Sequence, residues 1–420
     1  MLGEYRGIPS QARLLIYLSF IPSMVIGLIY TDLSYFLPNV QGLPDFWMGI
    51  TIGTMAVSMV LASFPLGILA DMYGRRKMLI LGNLLASLSL IGFALTSNLG
   101  LLLFVAVMEG IGEAAFAVSA TALLADKAGN EKRTVAFSLS AVIGWVAGAL
   151  GAFMISSVLV LESMGLSAAA AHIALFVVVG IVGLSMTPVI LKIHESEPSR
   201  VSLTVRGRAI LPRKSASVLI RFTVYSGAIA LGAGLFVPLM TRWFSKAYGV
   251  SDAISGPVLG VSGVLTAVAV FLAPRLAMKF GLVRAIVLTQ GLSTVFMVLV
   301  PTSPNFATAA SLYSVRVFLM NLSNPLSQSL IMGLVSPDER GMASGISAAL
   351  WRLPNAASST IGAVWIGMGL LALPFYIATI LYVCSITAFW FLFRGTRLPE
   401  ETREAPRLLT PPVQEATVST

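Results

Sequence analysis

Apolar positions along this chain come in long blocks, not in alternation. Twelve runs, near 14–36, 46–70, 78–96, 100–124, 135–160, 169–191, 218–243, 254–277, 283–301, 306–334, 342–367 and 371–393, are separated by shorter polar gaps. Runs on the order of 20 residues at ~1.5 Å per residue cross the ~30 Å hydrocarbon core of a bilayer. Continuous blocks predict helices, because a membrane barrel would show segments of alternating polarity. The first run is too long for a signal-peptide core and no small-residue cleavage site follows it, so it counts as a span. The expected fold is an all-α integral membrane protein with twelve transmembrane helices.

The pattern repeats. A shift of 207 positions lays Gly27 on Gly234, Gly49 on Gly256, Gly53 on Gly260, Phe64 on Phe271, Ala70 on Ala277 and Gly74 on Gly281. Two pseudo-symmetric six-helix bundles are therefore expected, residues 1–192 and 218–398, joined by a basic cytoplasmic linker at 193–217. The stretch 399–420, rich in Pro, Glu and Thr, reads as a disordered cytoplasmic tail.

Composition agrees with the pattern: 57% of residues are hydrophobic and 11% charged, against roughly 25% charged in soluble domains. Only Arg242, Lys246, Arg316 and Arg352, of 27 Lys and Arg, fall outside the N-terminus, the even-numbered loops and the tail. That bias predicts a cell-membrane protein with both termini cytoplasmic. The net charge of +9 is then a topology signal directed at anionic lipid headgroups. No basic face is interleaved with stacking aromatics, which argues against nucleic acid. Cys384 is the lone cysteine, so no disulfide or cysteine-rich metal site can form, and its place in the last span predicts a buried, inert thiol. His172 and His194 are too far apart in sequence to suggest a ligand pair. With no metal-site pattern, phosphate-binding loop or nucleophile elbow, neither a cofactor nor an enzyme is expected.

The gap Gly67-Ile68-Leu69-Ala70-Asp71-Met72-Tyr73-Gly74-Arg75-Arg76-Lys77 packs one acid, three bases and two glycines between two spans. A carboxylate at a helix C-terminus meets the negative end of the macrodipole, so Asp71 needs cations nearby. This loop resembles the signature between helices 2 and 3 of the major facilitator superfamily of transporters. That resemblance implies a cytoplasmic gate built from Gly67, Asp71, Gly74, Arg75 and Arg76. Asp71 would be held against the start of helix 11, with Arg75 and Arg133 as ionic partners and Arg340 as the repeat counterpart of Arg133. Ser336, Pro337 and Glu339 would cap that helix. On the other reading, Arg75, Arg76 and Lys77 mark topology alone. In the second copy Met278 stands where Asp71 would be, so one ionic latch is expected.

Ionisable residues inside spans cost about 2.5 kcal/mol or more on insertion scales and are functional candidates by default. Asp32 falls toward the outer mouth, and Glu109, Glu113, Arg316 and Arg352 toward the midplane. Glu109 and Glu113 share one helical face, so at least one could hold a proton. Asn321, Asn324 and Gln328 extend Arg316 as a stripe. Each group could instead be an interhelix pair or packing glue. In the superfamily helices 1, 4, 7 and 10 line the cavity. The run from Gly144 to Gly151 resembles a degraded glycine-proline motif of drug/proton antiporters, with Ala149 replacing the proline. The resemblance thus implies a monomeric secondary transporter working by alternating access, exporting hydrophobic or amphiphilic small molecules against protons. A proton-coupled symporter of an organic anion or nutrient is the alternative, and a non-transporting sensor on the same fold a remote one.

Overall fold

The computed structural model describes residues 7–195, 215–336 and 340–395. Among these residues all regular structure is helical. Ten segments are long and apolar enough to cross a membrane: α1 Ser10–Val40, α2 Asp45–Tyr73, α3 Arg75–Leu95, α4 Leu99–Gly129, α5 Val135–Ser163, α6 Ala168–Ile190, α7 Ala216–Tyr248, α8 Asp252–Phe280, α9 Leu282–Thr302 and α12 Leu373–Phe393. Two further long helices, α10 Phe306–Leu334 and α11 Arg340–Gly367, carry more Ser, Asn, Gln and Arg. The proposed helix cap at Pro337 and Glu339, most of the linker and the tail lie outside the described residues.

Glycine decides where helices turn and where they touch. Gly74 and Gly281 end α2 and α8 at φ 106° and 78°, a region that suits a residue without Cβ. The helices they end are both 29 residues long and start 207 positions apart. A Cβ on Gly27 would lie 2.1 Å from the Gly148 carbonyl oxygen, and one on Gly234 would lie 2.2 Å from that of Asn355. Close contact of α1 with α5 therefore recurs between α7 and α11. α4 passes into α5 through Gly129, whose φ of 68° and ψ of 172° redirect the chain.

The sets α1–α6 and α7–α12 meet at the end that holds Asp45. There a Cβ on Gly49 would reach the Thr360 Cα at 2.8 Å and one on Gly260 the Ala149 oxygen at 3.0 Å. Ser34 and Thr241 share a 2.5 Å hydroxyl hydrogen bond. One apolar core, including Leu33, Phe36, Met240, Trp243 and Phe244, unites both sets. Toward Gly74, α1–α6 keep a separate core around Ile16, Leu79, Leu124, Ala136 and Ile193. The molecule is thus shut at the Asp45 end, while at the other end, among the described residues, a Cβ on Gly67 would meet Val118 of its own set, at 3.6 Å, and none of the other set. Cys384 corrects the sequence reading: it is exposed on α12, because an apolar helix facing lipid hides only one side inside the protein.

Candidate functional site

α4 brings Glu109 and Glu113 to one face, and α1 and α11 supply what surrounds them. Glu113 is 7% exposed. Its Oε1 accepts a 3.1 Å hydrogen bond from Arg352 Nη2, and its Oε2 accepts one of 2.9 Å from the Tyr30 hydroxyl. This Tyr30–Glu113–Arg352 chain crosses between the helix sets. Glu109, one turn earlier, is 0% exposed, and neither of its carboxylate oxygens has a hydrogen-bond partner. A buried polar group without a partner is costly, so Glu109 is not explained as structural glue.

Arg316 joins neither glutamate. It is buried on α10, donates from Nη2 to the Tyr382 hydroxyl at 2.7 Å, and sets its guanidinium 5.0 Å from the Phe236 ring centroid. Its Nε is unpartnered, and among the described residues it forms no ion pair. The four ionisable groups that the sequence places toward the midplane therefore resolve, among the described residues, into one pair, Glu113 with Arg352, and two buried groups, Glu109 and Arg316, without a partner of opposite charge. Depth alone did not show which helix faces would meet. Asn324 is exposed and donates to the Asn321 side chain at 2.8 Å, so the stripe on α10 reaches open space. A cleft of about 380 Å³ lies between α1, α5 and α8, lined by Tyr30, Gly144, Trp145, Gly148 and Gly263 among others. Tyr30 thus belongs both to the cleft wall and to the Glu113 chain.

At the Gly74 end, Asp71 pairs with Arg75 at 2.9 Å and is half-exposed. Arg75 also reaches Asp126 of α4. Sequence reasoning missed Glu195, whose carboxylate accepts from the backbone N–H of Arg75 at 2.5 Å and of Arg76 at 3.0 Å. It caps α3 as an anion at a helix N-terminus. Arg133 is exposed and makes no ion pair among the described residues, and the Arg340 side chain lies outside them. The anticipated contact of Arg133 with Asp71 is not made among the described residues, where Asp71 pairs with Arg75 one turn on.

The Asp45 end holds two clusters that local spacing did not reveal. In one, Arg242 of α7 grips Asp45 of α2 with Nε at 2.5 Å and Nη2 at 2.9 Å and also donates to Asn39. In the other, His172 of α6 holds Asp252 of α8 at 2.6 Å, and Asp32 of α1 completes a buried trio whose ligand atoms lie within 4.8 Å of one another. The sequence reading found no metal-site pattern. The three residues lie on three helices, 140 and 80 positions apart, so no motif window contains them. The available signal was the repeat, which places Asp45 on Asp252.

A family model described as the Major Facilitator Superfamily matches residues 14–320 and 222–418. A multi-drug resistance efflux pump, PmrA of Streptococcus pneumoniae, is 33% identical over 135 residues, which cover 31% of this chain and 33% of the pump's own length. Among solved structures, a D-xylose-proton symporter superposes with a TM-score of 0.74 at 15% identity, covering 94% of this chain and 100% of its own. A bacterial homologue of the human lysosomal transporter Spinster, in an inward-facing and unoccupied conformation, gives 0.73 at 14% identity and covers 94% and 98%. At such identities these likenesses speak for the fold alone.

Proposed function

This chain belongs to the major facilitator superfamily, and from that premise we propose that it is a monomeric, twelve-span exporter of hydrophobic or amphiphilic compounds driven by protons. Residues 1–192 and 218–398 form two pseudo-symmetric bundles in the cell membrane, with the linker 193–217, the tail 399–420 and both termini cytoplasmic. The Gly74 end is then cytoplasmic, and the shape described here opens inward. The observation that carries the reading is the Tyr30–Glu113–Arg352 chain, which crosses the halves beside the cleft. With the outer end shut, Arg352 neutralises Glu113. Rocking the halves the other way separates α4 from α11, and Glu113 exchanges the guanidinium for a proton from outside. Returning brings Arg352 back and releases that proton inward, so one cycle moves a proton in and cargo out. Tyr30 reports the state of Glu113 to the cleft wall, and Glu109 supplies a second acid on the same face. In the outward-facing state Asp71 latches the start of α11.

A specific observation favours a second reading. Arg316 is a buried cation beside aromatic rings with no acid partner among the described residues, a setting that suits an organic anion or nutrient taken up with protons. The deciding experiment uses proteoliposomes and cationic, neutral and anionic test solutes. Glu113→Gln is expected to abolish accumulation driven by a pH gradient while exchange without a gradient persists. Unchanged gradient-driven transport would remove the exporter mechanism, and selective uptake of anions lost in Arg316→Gln would favour the second reading.

A further inference from the structure

We propose that Asp32, His172 and Asp252 form a binding site for a divalent transition-metal ion of the zinc class, which bridges the two helix sets and holds the Asp45 end shut. His172 Nδ1 lies 2.7 Å from the Ala168 carbonyl oxygen, an atom that can only accept, so Nδ1 carries the ring proton. Nε2 faces the Asp252 carboxylate 2.6 Å away, a contact made either by a second ring proton, as in an imidazolium–carboxylate pair, or by a metal ion in its place. Two electron-rich atoms that close need a cation between them. Asp32 adds to the demand: it is 0% exposed, and its carboxylate faces that of Asp252, so a proton or a metal ion must lie between the two acids.

The donor set suits a metal of that class. One imidazole nitrogen with two carboxylates is a borderline, mixed N/O site. A backbone carbonyl on the far ring nitrogen is the usual outer support of a metal-bound histidine. Tyr35 stacks near the ring with centroids 6.2 Å apart, and Phe36 lies 5.7 Å away, so the imidazole is held in place. Donors about 2.1 Å from a tetrahedral zinc stand roughly 3.4 Å apart, within the 4.8 Å span of these atoms after small side-chain rotations. Access is provided by a pocket of about 340 Å³ that His172 and Asp252 line together with the polar Asn39, Glu162 and Ser167. Asp32 and His172 belong to one set and Asp252 to the other, so the site is complete only while this end is closed. Binding must therefore favour closure by linkage. The inference concerns the shut shape and does not depend on cargo or coupling ion.

The test uses the full-length protein in detergent, free of affinity tag and stripped with chelator. Zinc chloride is titrated against the thermal unfolding midpoint, with magnesium and calcium chloride as comparison salts. Zinc at a hundredfold excess over its dissociation constant is expected to raise the midpoint by about 5 °C. His172→Gln and Asp252→Asn should lose that shift, and His194→Ala should keep it. Spin labels on α2 and α11 near Gly49 and Thr360 should report a narrower, shorter distance with zinc. The proposal falls if zinc leaves the parent midpoint and distances unchanged, or stabilises His172→Gln equally. It falls also if acidification alone closes this end while zinc does nothing, which would make the trio a proton site. Because parent protein with and without metal is itself a readout, a variant that fails to fold leaves the test intact.

Discussion

Asp45 and Asp252 begin equivalent helices, and each reaches across to the opposite half, yet they grasp different things. Asp45 meets Arg242, a permanent cation whose planar fork matches a carboxylate at 2.5 and 2.9 Å. Asp252 meets a histidine and a second aspartate. The shift of 207 places Tyr35 opposite Arg242, and Tyr35 stacks on His172 instead of supplying a charge. One clamp has its own counter-ion, and on the proposal above the other depends on a cation from outside. A fixed pair sets a constant preference for the shut shape, whereas a conditional one makes that preference depend on the medium.

The largest expected effect lies in the fixed clamp. Arg242→Met leaves Asp45 unpaired in a largely buried place and should cost about 3 kcal/mol or more in unfolding in detergent. Asp252→Asn, assayed in chelator, removes a like charge and should cost well under half as much; equal losses would break the comparison. Next is the seam between the clamps. A Cβ on Gly49 already crowds Thr360 and Ala363 at 2.8 Å, so Gly49→Leu should wedge this end open, read as longer label distances across it. Gly67→Leu, at the opposite end, should leave those distances alone. Glu195→Ala removes a carboxylate cap from α3 and should cost about 1 kcal/mol by the same unfolding measurement. The smallest change is Asp71→Asn: its exposed pair with Arg75 is worth about 0.3–0.5 kcal/mol. Stability should hardly move, while probe cysteines near Gly74 become more accessible if Asp71 latches the alternate state. Identical labelling in mutant and parent would detach Asp71 from gating.

What could be read from sequence was whatever a single helix decides. Apolar runs gave up ten membrane-length helices because lipid acts on each helix separately, and Gly74 was legible because a charged turn between two runs has few structural solutions. Glu113, Arg316 and Arg352 stood out as charges in apolar surroundings, but which group each would meet did not. Arg352 and Tyr382 are chosen by the rotation of neighbouring helices, which composition does not encode. Cys384 was misplaced for the same reason, since an evenly apolar helix such as α12 carries no mark of its protein-facing side. The trio at Asp32 was least legible, because it needs three helices from both halves in one closed shape.

Glu195 carries a mechanical consequence. It lies just beyond the end of α6, and its two hydrogen bonds seize the first turn of α3. Arg76 returns the grip by donating to the Ile193 carbonyl oxygen at 3.2 Å. A pull on the chain at Glu195 is therefore delivered to the root of α3 and, through Arg75, to Asp71 and Asp126. On the proposed gating role of the Gly74 end, shortening or stiffening the chain beyond Glu195 should alter how readily that end closes.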